Sequence, residues 1–480
     1  WLRRSQRQPV ALTPWPATQI MFLGENLRNV GNGIEVAMVR RARLFVERLG
    51  QTPCIMTSAW NPALGQTVAQ FKESGRLPQG VRVLSIYDGL LAMRDRGELS
   101  ALPWQVPGPL LNRTRSDDGL YRLQFAHKDA PERLALEVFV DGHSQALLLK
   151  HYQTRNDRAV LTRIDWHQTG SGMVSFLSES AWLAATLNAT LASEVRWHFI
   201  VDKNLPWRDF VLSDPRSRFN ATVTAFIHST HRLRNGRLKQ AYAHLLTPEA
   251  PVDQILMLTQ EQCDDLARDG VERRRLRAMP HAAPDTPNRL PTGDNRRVLY
   301  MARYSAEKRH DLLVRVFQRV LQAVPDAELH TWGVGPLRQG LVRQVAQRGL
   351  EASIKIHGFT NDIARVHSES CCAVLCSDQE GLPQFGLEAL SYGTPLVSME
   401  VKYGPRDLLA DFDCGRLVPD GDEQALADAL IEVLTHPEQQ SRMRQQARLS
   451  AARFHPDIVA GYWRTWWQAR SETPQALLCE

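Results

Sequence analysis

The sequence predicts an α/β fold in which two Rossmann-like domains face a cleft, with an antiparallel all-β segment inserted into the first of them. Strand and helix patterns alternate towards both ends of the chain, whereas short strand-like runs separated by Asp-Gly, Asn-Asp and Gly-Ser-Gly turns fill residues 121–176. The chain has 480 residues, which is too long for one ordinary domain, and 43% of them are hydrophobic. We therefore expect several packed units rather than a disordered chain.

The pattern divides the chain into five segments. The last segment is expected to be a helix that crosses back to the first domain, with Trp463, Trp466 and Trp467 as packing residues rather than ligand contacts. The segments are the first part of the N-terminal domain (1–88), the all-β insertion (89–194), the second part with the linker (195–290), the C-terminal Rossmann-like domain (291–454) and the returning helix (455–480).

A glycine loop follows the first predicted strand, at residues 20–23. The loop contains Gly31, Asn32 and Gly33, and a helix with apolar residues on one face follows it. Strand, glycine loop and helix in this order are typical of phosphate cradles, although a plain turn of Gly and Asn explains the loop equally well. Further strands are predicted at residues 53–57 and 81–87.

The insertion is predicted from its hairpin spacing. Its strands carry mixed polar and apolar faces and need some partner for their edges, although mere decoration of the fold stays an alternative. The predicted strands are residues 121–125, 134–140, 146–152, 159–165 and 173–176.

Alternation then returns, with strands at residues 196–202 and 221–227. The second of these strands ends at His228, and His231 lies three positions further on. Thr259 and Gln262 stand at the spacing of a helix capping box. Residues 279–294 are rich in proline and polar residues and predict a linker, and the cleft between the two halves that it joins is where a ligand is expected to bind.

Two glutamates dominate the C-terminal half. A strand at residues 371–376 precedes Glu380, and Gly381 and Pro383 exclude a helix before about Pro383. Glu388 then lies on the helix that follows, while Glu380 lies in the turn just before the helix starts. Free backbone N–H groups at such a helix start bind phosphates, and the two carboxylates suit ribose and sugar hydroxyls. Two glutamates eight positions apart also occur by chance on solvated helices, so the flanking motifs decide between a ligand-binding site and a solvated helix face.

Three further strand ends carry polar or glycine motifs. Arg303 and Lys308 follow a strand at residues 298–302. Gly333-Val-Gly335 follows the strand at residues 327–332, and His357-Gly358-Phe359 closes the strand at residues 353–356. The carboxyl ends of parallel strands share one edge of a sheet, so these motifs are expected to line one site.

With these four motifs in this order, the chain resembles the retaining glycosyltransferases of family 4, which have the GT-B fold. The resemblance implies that His231, Glu380, Arg303 and Lys308 act in catalysis, with His231 favoured over His228. It places His228 and Tyr403 on the acceptor side. The donor-binding residues that it implies are Gly31, Gly33, Gly335, His357, Gly358, Phe359, Gly381, Leu382 and Glu388.

The insertion and the Tyr403-Gly-Pro405 motif narrow the resemblance. Residues 152–160, 163–167 and 176–183 resemble the β-meander of bacterial enzymes that glycosylate teichoic acid or Ser/Thr-rich adhesins. The resemblance implies a UDP-GlcNAc or UDP-glucose donor, transfer with retention, and either a polyol-phosphate polymer or a Ser-rich protein as acceptor. It also implies assembly through the insertion, as a homo-oligomer or a complex.

Composition limits the remaining function classes. The net charge is +6, from 58 basic and 52 acidic residues, a small excess that would steer a polyanionic acceptor. We find no basic and aromatic module for nucleic acid, and no uncharged apolar run long enough to span a membrane. The seven cysteines form no C-x-x-C pair, which argues against a disulfide framework or a zinc site.

We therefore expect a cytoplasmic enzyme that uses no cofactor and requires no metal, because Arg303, Lys308 and helix N-termini supply the positive charge. The start, residues 1–7, is interpreted as a charged lead-in or a trimmed end. Two alternatives stay open: a non-catalytic, substrate-binding partner subunit of such an enzyme, and a lipid or oligosaccharide transferase of the same fold.

Overall fold

The computed structural model describes residues 18–191, 195–286 and 296–471. The predicted lead-in at residues 1–7 and the second half of the predicted linker lie outside the described residues. The first part of the N-terminal domain alternates strands and helices as predicted: β1 (Thr18–Gly24), α1 (Gly33–Leu49), β2 (Cys54–Thr57), α2 (Leu64–Glu73), β3 (Arg82–Ser85) and α3 (Asp88–Asp95).

The insertion is a six-stranded antiparallel meander in which each strand pairs with the next along the chain. Asn156 and Asp157 both have positive φ, at 48° and 56°, which is the backbone that a two-residue hairpin turn requires. Sequence patterning missed the first strand, because its residues are mostly exposed and polar. The elements are β4 (Leu110–Arg115), β5 (Tyr121–His127), β6 (Ala130–Val140), β7 (Ala146–Arg155), β8 (Arg158–Gln168), β9 (Gly172–Phe176) and helix α4 (Glu179–Thr190).

The chain then returns to the N-terminal domain. Its seven strands form one parallel sheet in the order β13-β12-β11-β10-β1-β2-β3. The insertion therefore leaves the sheet after an outer strand and re-enters it beside β1. The returning elements are β10 (Arg196–Val201), α5 (Arg208–Leu212), α6 (Pro215–Phe219), β11 (Thr222–Ile227), α7 (Gln240–Ala243), β12 (Gln254–Met257), α8 (Gln260–Arg268), a 3-10 turn (Arg273–Arg275) and β13 (Leu276–Ala278).

The C-terminal domain is built on a second parallel sheet, of six strands in the order β16-β15-β14-β17-β18-β19. The chain order of the elements again alternates. They are β14 (Arg297–Met301), a 3-10 turn (Ala306–Lys308), α9 (His310–Ala323), β15 (Glu328–Trp332), α10 (Arg338–Gln347), β16 (Ile354–Ile356), α11 (Ile363–Ser368), β17 (Cys372–Leu375), α12 (Gln384–Ser391), β18 (Leu396–Glu400), α13 (Pro405–Leu409), β19 (Gly415–Pro419), α14 (Glu423–Thr435) and α15 (Pro437–Ala452).

The final helix, α16 (Pro456–Ser471), packs against the N-terminal domain. Trp463 meets Phe45 of α1 edge to face, with 5.0 Å between ring centroids. The indole of Trp466 donates a hydrogen bond to Gln254 on β12 at 3.1 Å. The three tryptophans are buried and belong to the core, as expected. The helix that ends the C-terminal half therefore packs on the N-terminal domain.

The described part of the chain holds no helix that is long and apolar enough to cross a bilayer.

Candidate active site

The predicted C-terminal motifs meet at one edge of the second sheet. Strands β14, β15, β16 and β17 are parallel, so their carboxyl ends and the loops that follow them lie side by side. Each of these loops carries one of the motifs predicted from the sequence. The edge faces the N-terminal domain, because α12 at this edge contacts α1 across the cleft.

Lys308 and Glu380 form an ion pair at this edge. The Lys308 Nζ lies 2.6 Å from Glu380 Oε1, and the two side chains are 23% and 12% exposed. Their loops are joined by backbone as well, since Asp378 N donates to the Glu307 carbonyl at 2.9 Å. The Tyr300 hydroxyl also donates to the Lys308 carbonyl at 2.8 Å. A cation and a carboxylate are thus fixed next to each other before any ligand binds.

Arg303 reaches the same loop from its start. It is more exposed than Lys308 and pairs with Glu307 at 2.7 Å. Burial opposes ionisation of Glu307, but hydrogen bonds from Arg303 and Ser305 outweigh it and lower the pKa of Glu307 to about 2. The Arg303 guanidinium is therefore held by the carboxylate of the residue directly before Lys308.

Two helices begin at this site without a side-chain cap in the described structure. Helix α9 starts after Arg309, which has the left-handed φ of 47°, and helix α12 starts after Pro383. The first backbone N–H groups of a helix have no partner within the helix, and the dipole is positive there. These two helix starts therefore add donors for an anion beside Lys308.

The glycine and histidine motifs lie in the loops after β15 and β16, at the same edge of the sheet. A Cβ on Gly335 would overlap the Tyr304 carbonyl oxygen, so the β15 loop lies against the β14 loop at that point. Gly358 accepts a hydrogen bond from Gly333 N at 3.1 Å. The His357 ring stacks on Trp332 with 4.0 Å between centroids, and Phe359 is 45% exposed.

Glu388 has a partner that its motif did not predict. Its Oε1 lies 2.7 Å from the Arg40 guanidinium of α1, and Glu388 itself is largely buried. One turn earlier on α12, Gln384 Nε2 donates to the Gly33 carbonyl at 2.6 Å. The expected ribose carboxylate thus lies at the cleft, in contact with the helix that follows the glycine loop.

The glycine loop is fixed by its own polar residues. Asn32 accepts hydrogen bonds from Ile34 N at 2.9 Å and Glu35 N at 3.1 Å, and so caps α1. The buried Glu35 carboxylate accepts from Arg28 and from the Asn32 amide. A Cβ on Gly31 would lie 2.9 Å from Glu35 Oε2. Two backbone donors that a phosphate would use are therefore already bound to Asn32.

Gly381 lies where the loop after β17 packs closely against the N-terminal domain. A Cβ on Gly381 would lie 2.5 Å from the His228 carbonyl oxygen and 2.7 Å from Leu258. The next residue, Leu382, is buried in the hydrophobic core, and its role in donor binding stays a prediction. The absence of a side chain at Gly381 lets the strand end that carries His228 reach the loop that carries Glu380.

The two candidate histidines have different surroundings. His228 Nε2 donates to Asp202 at 2.8 Å, and Asp202 also pairs with Arg41. His228 Nδ1 is buried and has no hydrogen-bond partner among the described residues. Burial lowers the pKa of His228 despite the Asp202 hydrogen bond, which favours the neutral ring. In the neutral ring, with Nε2 donating to Asp202, Nδ1 is an acceptor.

His231 is fixed at both ring nitrogens. Its Nε2 lies 3.3 Å from Asp269 Oδ2, and its Nδ1 lies 3.5 Å from Gln262 Nε2. The ring lies nearly parallel to the Tyr403 ring at 6.0 Å. Burial lowers the pKa of His231 despite the hydrogen bond to Asp269. The preference for His231 over His228 stays a prediction.

Carboxylates with a metal-binding spacing also occur away from this edge. Asp411 and Asp413 stand two apart, as do Asp420 and Asp422. Each is engaged otherwise, because Asp411, Asp413 and Asp420 pair with arginines and Asp422 caps α14. Among the described residues, no group of three or more metal-ligating side chains comes together.

Sequence patterning missed residues that reach the predicted site residues from other parts of the chain. Arg40, Asp202 and Asp265 all contact predicted site residues, yet none of them lies in a recognisable motif for that contact. Their partners lie from 26 to 348 positions away along the chain. Asp265 lies three residues after Gln262 on the same helix. The spacing of Thr259 and Gln262 predicted a helix cap there and did not indicate a site.

Comparison with known proteins decides the class of the C-terminal domain. Its residues match the family model "Glycosyl transferases group 1" from 285 to 450. Residues 285–450 form a glycosyltransferase group 1 domain. The whole chain is similar to the poly(glycerol-phosphate) alpha-glucosyltransferase of Bacillus subtilis (strain 168), at 19% identity over 93% of this chain and 74% of that protein.

Two solved structures are similar over nearly the whole chain. One is a mutant of S. aureus TarM in complex with Fondaparinux, alpha-GlcNAc-glycerol and UDP, with a TM-score of 0.71 and 14% identity over 94% of this chain and all of that one. The other is the pneumococcal O-GlcNAc transferase GtfA in complex with UDP and GlcNAc, with a TM-score of 0.70 and 15% identity over 95% and 100%. The chain has the GT-B fold of these structures, which confirms the predicted fold class, and the match over residues 285–450 agrees with the predicted resemblance to glycosyltransferases.

Proposed function

We propose that the protein is a retaining glycosyltransferase that moves GlcNAc or glucose from a UDP-sugar onto a bacterial surface polymer or a Ser-rich adhesin. The Lys308 and Glu380 ion pair, fixed at the starts of two helices in a glycosyltransferase group 1 domain, is the observation that carries the proposal. The similarity to a poly(glycerol-phosphate) alpha-glucosyltransferase supports a polyol-phosphate acceptor. UDP in the two similar structures supports the donor class.

The proposed chemistry follows from charge. When the sugar leaves a nucleoside diphosphate, negative charge grows on the phosphates and positive charge grows on the sugar. Lys308, Arg303 and the N-termini of α9 and α12 stabilise the phosphates, so the proposal needs no metal ion. Glu380 binds hydroxyls of the donor sugar and Glu388 binds the ribose. Binding of the diphosphate separates Lys308 from Glu380, which frees the carboxylate for the sugar.

Retention at the anomeric carbon is part of the proposal. The acceptor hydroxyl attacks from the face that the diphosphate leaves, and the departing phosphate takes the proton. Glu388 exchanges Arg40 for the ribose hydroxyls in this scheme, and Arg40 then faces the bound nucleotide. We also propose that the reaction takes place in the cytoplasm. The insertion is proposed to hold the acceptor, or to join copies of the chain or partner proteins.

The two histidines give a prediction that separates their roles. His228 Nδ1 has no hydrogen-bond partner in the described part of the chain, whereas both nitrogens of His231 have neighbours. If His231 binds the transferred sugar, His231→Ala lowers kcat/KM by about 100-fold and His228→Ala lowers it less. A UDP-release assay on both variants checks this. A larger loss in His228→Ala would move the sugar contact to the unpartnered nitrogen.

The experiment that tests the proposed function is nucleotide release from UDP-, GDP- and ADP-sugars. Ribitol-phosphate polymer, glycerol-phosphate polymer and a Ser-rich peptide serve as acceptors. We expect release from UDP-GlcNAc or UDP-glucose that one acceptor stimulates, with an α-linked product. Release from a GDP- or ADP-sugar alone would contradict the donor class. A folded protein that binds an acceptor and turns over none of the donors would favour a non-catalytic partner subunit.

A further inference from the structure

Two motifs that the proposed chemistry leaves unused meet across the cleft. Asp265 belongs to α8 in the N-terminal domain, whereas Lys402 and Tyr403 follow β18 in the C-terminal domain. The Tyr403 hydroxyl donates to Asp265 Oδ2 at 2.7 Å, and Lys402 Nζ lies 2.5 Å from the same oxygen. One carboxylate oxygen therefore holds two consecutive residues of the opposite domain.

The same two residues hold Glu380 through the backbone. Glu380 N donates to the Lys402 carbonyl at 3.2 Å, and Tyr403 N donates to the Glu380 carbonyl at 3.0 Å. This reciprocal pair fixes the main chain of Glu380 on both sides. The residue after Tyr403, Gly404, packs closely against the residue after Glu380, because a Cβ on Gly404 would overlap the Gly381 carbonyl oxygen. A displacement of Tyr403 would therefore carry Glu380 with it.

Burial makes the contact at Asp265 a costly one to break. Tyr403 is 2% exposed, and the Asp265 side chain is 11% exposed. Burial alone would raise the pKa of Asp265, but hydrogen bonds from Lys402 and Tyr403 outweigh it, and the pKa lies below its ordinary value. A buried hydroxyl that donates to a carboxylate makes one of the stronger hydrogen bonds in a protein.

Helix α8 is itself fixed to the strand end that carries the histidines. Thr259 caps α8 by accepting from Gln262 N, as its sequence predicts. The Gln262 side chain does not complete the predicted capping box, because it donates to the Ser229 carbonyl at 2.9 Å instead. Asp265 is thereby placed one turn along a helix whose start is tied to the loop between His228 and His231.

We propose that Asp265 and Tyr403 are positioning residues that set the Glu380 carboxylate against the donor sugar, across the domain interface. The proposal rests on the proposed function, because it takes Glu380 as the sugar contact. It predicts that Glu380 is in place only when the two domains are closed on each other. Binding of the nucleotide portion does not depend on this contact, since Lys308 and the helix starts serve the diphosphate.

The test compares the affinity for UDP with the affinity for UDP-GlcNAc and UDP-glucose by calorimetry, in the absence of acceptor. Tyr403→Phe removes one hydroxyl and is expected to weaken UDP-sugar binding about tenfold while UDP binding changes less than twofold. Lys402→Ala, at a half-exposed side chain, is expected to show the same split with about a twofold loss. Arg234→Ala removes a different interdomain ion pair, to Asp420 at 3.1 Å, and is the control expected to change neither affinity.

A double-mutant cycle separates positioning from general stability. In the Glu380→Gln background, Tyr403→Phe is expected to cause no further loss of UDP-sugar affinity, because its effect passes through Glu380. Equal losses for UDP and UDP-sugar, or a full additional loss in the double variant, would overturn the proposal while leaving the proposed function intact. A wild-type protein that binds neither UDP nor a UDP-sugar would overturn both.

Discussion

Glu380→Gln is expected to lower kcat/KM for sugar transfer by about 1,000-fold, while the affinity for UDP stays within twofold of wild type. Glutamine keeps the size of the side chain but loses the charge that attracts the sugar hydroxyls as the sugar becomes cationic. It also breaks the ion pair with Lys308. UDP contains no transferred sugar, so its affinity reports on the diphosphate contacts alone.

The control for Glu380→Gln is Glu432→Gln. Glu432 lies on α14 of the same domain and forms an ion pair of similar geometry with Arg416, at 2.8 Å. We expect this variant to keep wild-type transfer, because the pair lies outside the cleft loops. Both variants and the wild type would be compared by release of UDP with acceptor present and by thermal unfolding. Wild-type turnover in Glu380→Gln would remove the residue from the proposed chemistry.

Lys308→Ala is expected to give the second largest effect, with kcat/KM lowered by roughly 100-fold or more. Its signature differs from that of Glu380→Gln. Lys308 is assigned to the diphosphate, which UDP and the UDP-sugar share, so both affinities are expected to fall by about tenfold. Calorimetry with each ligand measures the two affinities, and UDP release measures turnover.

Lys355→Ala is the matched control for Lys308→Ala. Lys355 lies on β16 of the same sheet, and its Nζ donates to the Glu351 carbonyl at 2.7 Å on the surface. Removing it changes the net charge by the same amount without touching the cleft. If Lys355→Ala weakened UDP binding as much as Lys308→Ala does, the effect would come from overall charge rather than from the assigned contact.

Local patterns in the sequence predicted the elements around the site closely. The apolar strand before Glu380, the exclusion of a helix by Gly381 and Pro383, and the helix that follows gave β17 and α12 within one or two residues. These features depend on the chemistry of neighbouring residues, which a single sequence displays. The same reasoning placed Thr259 as the cap of α8.

Contacts between distant segments were not predictable in this way. Nothing near Glu388 indicates that Arg40 of another domain pairs with it, since the two are 348 positions apart. Strand β4 was missed because an exposed edge strand lacks the apolar alternation that marks the others. The cap by Asn32 was also unexpected, and it reduces the number of backbone donors that the glycine loop can offer to a phosphate.

The central claim is that a uridine diphosphate sugar occupies the cleft at the edge of the second sheet. Hydrogen exchange of the backbone amides with and without UDP tests it most directly. We expect UDP to slow exchange in residues 303–310 and 383–388, at the starts of α9 and α12, and to leave the strands of the insertion unchanged. Slowed exchange in the insertion or elsewhere, with no change in those two segments, would contradict the account.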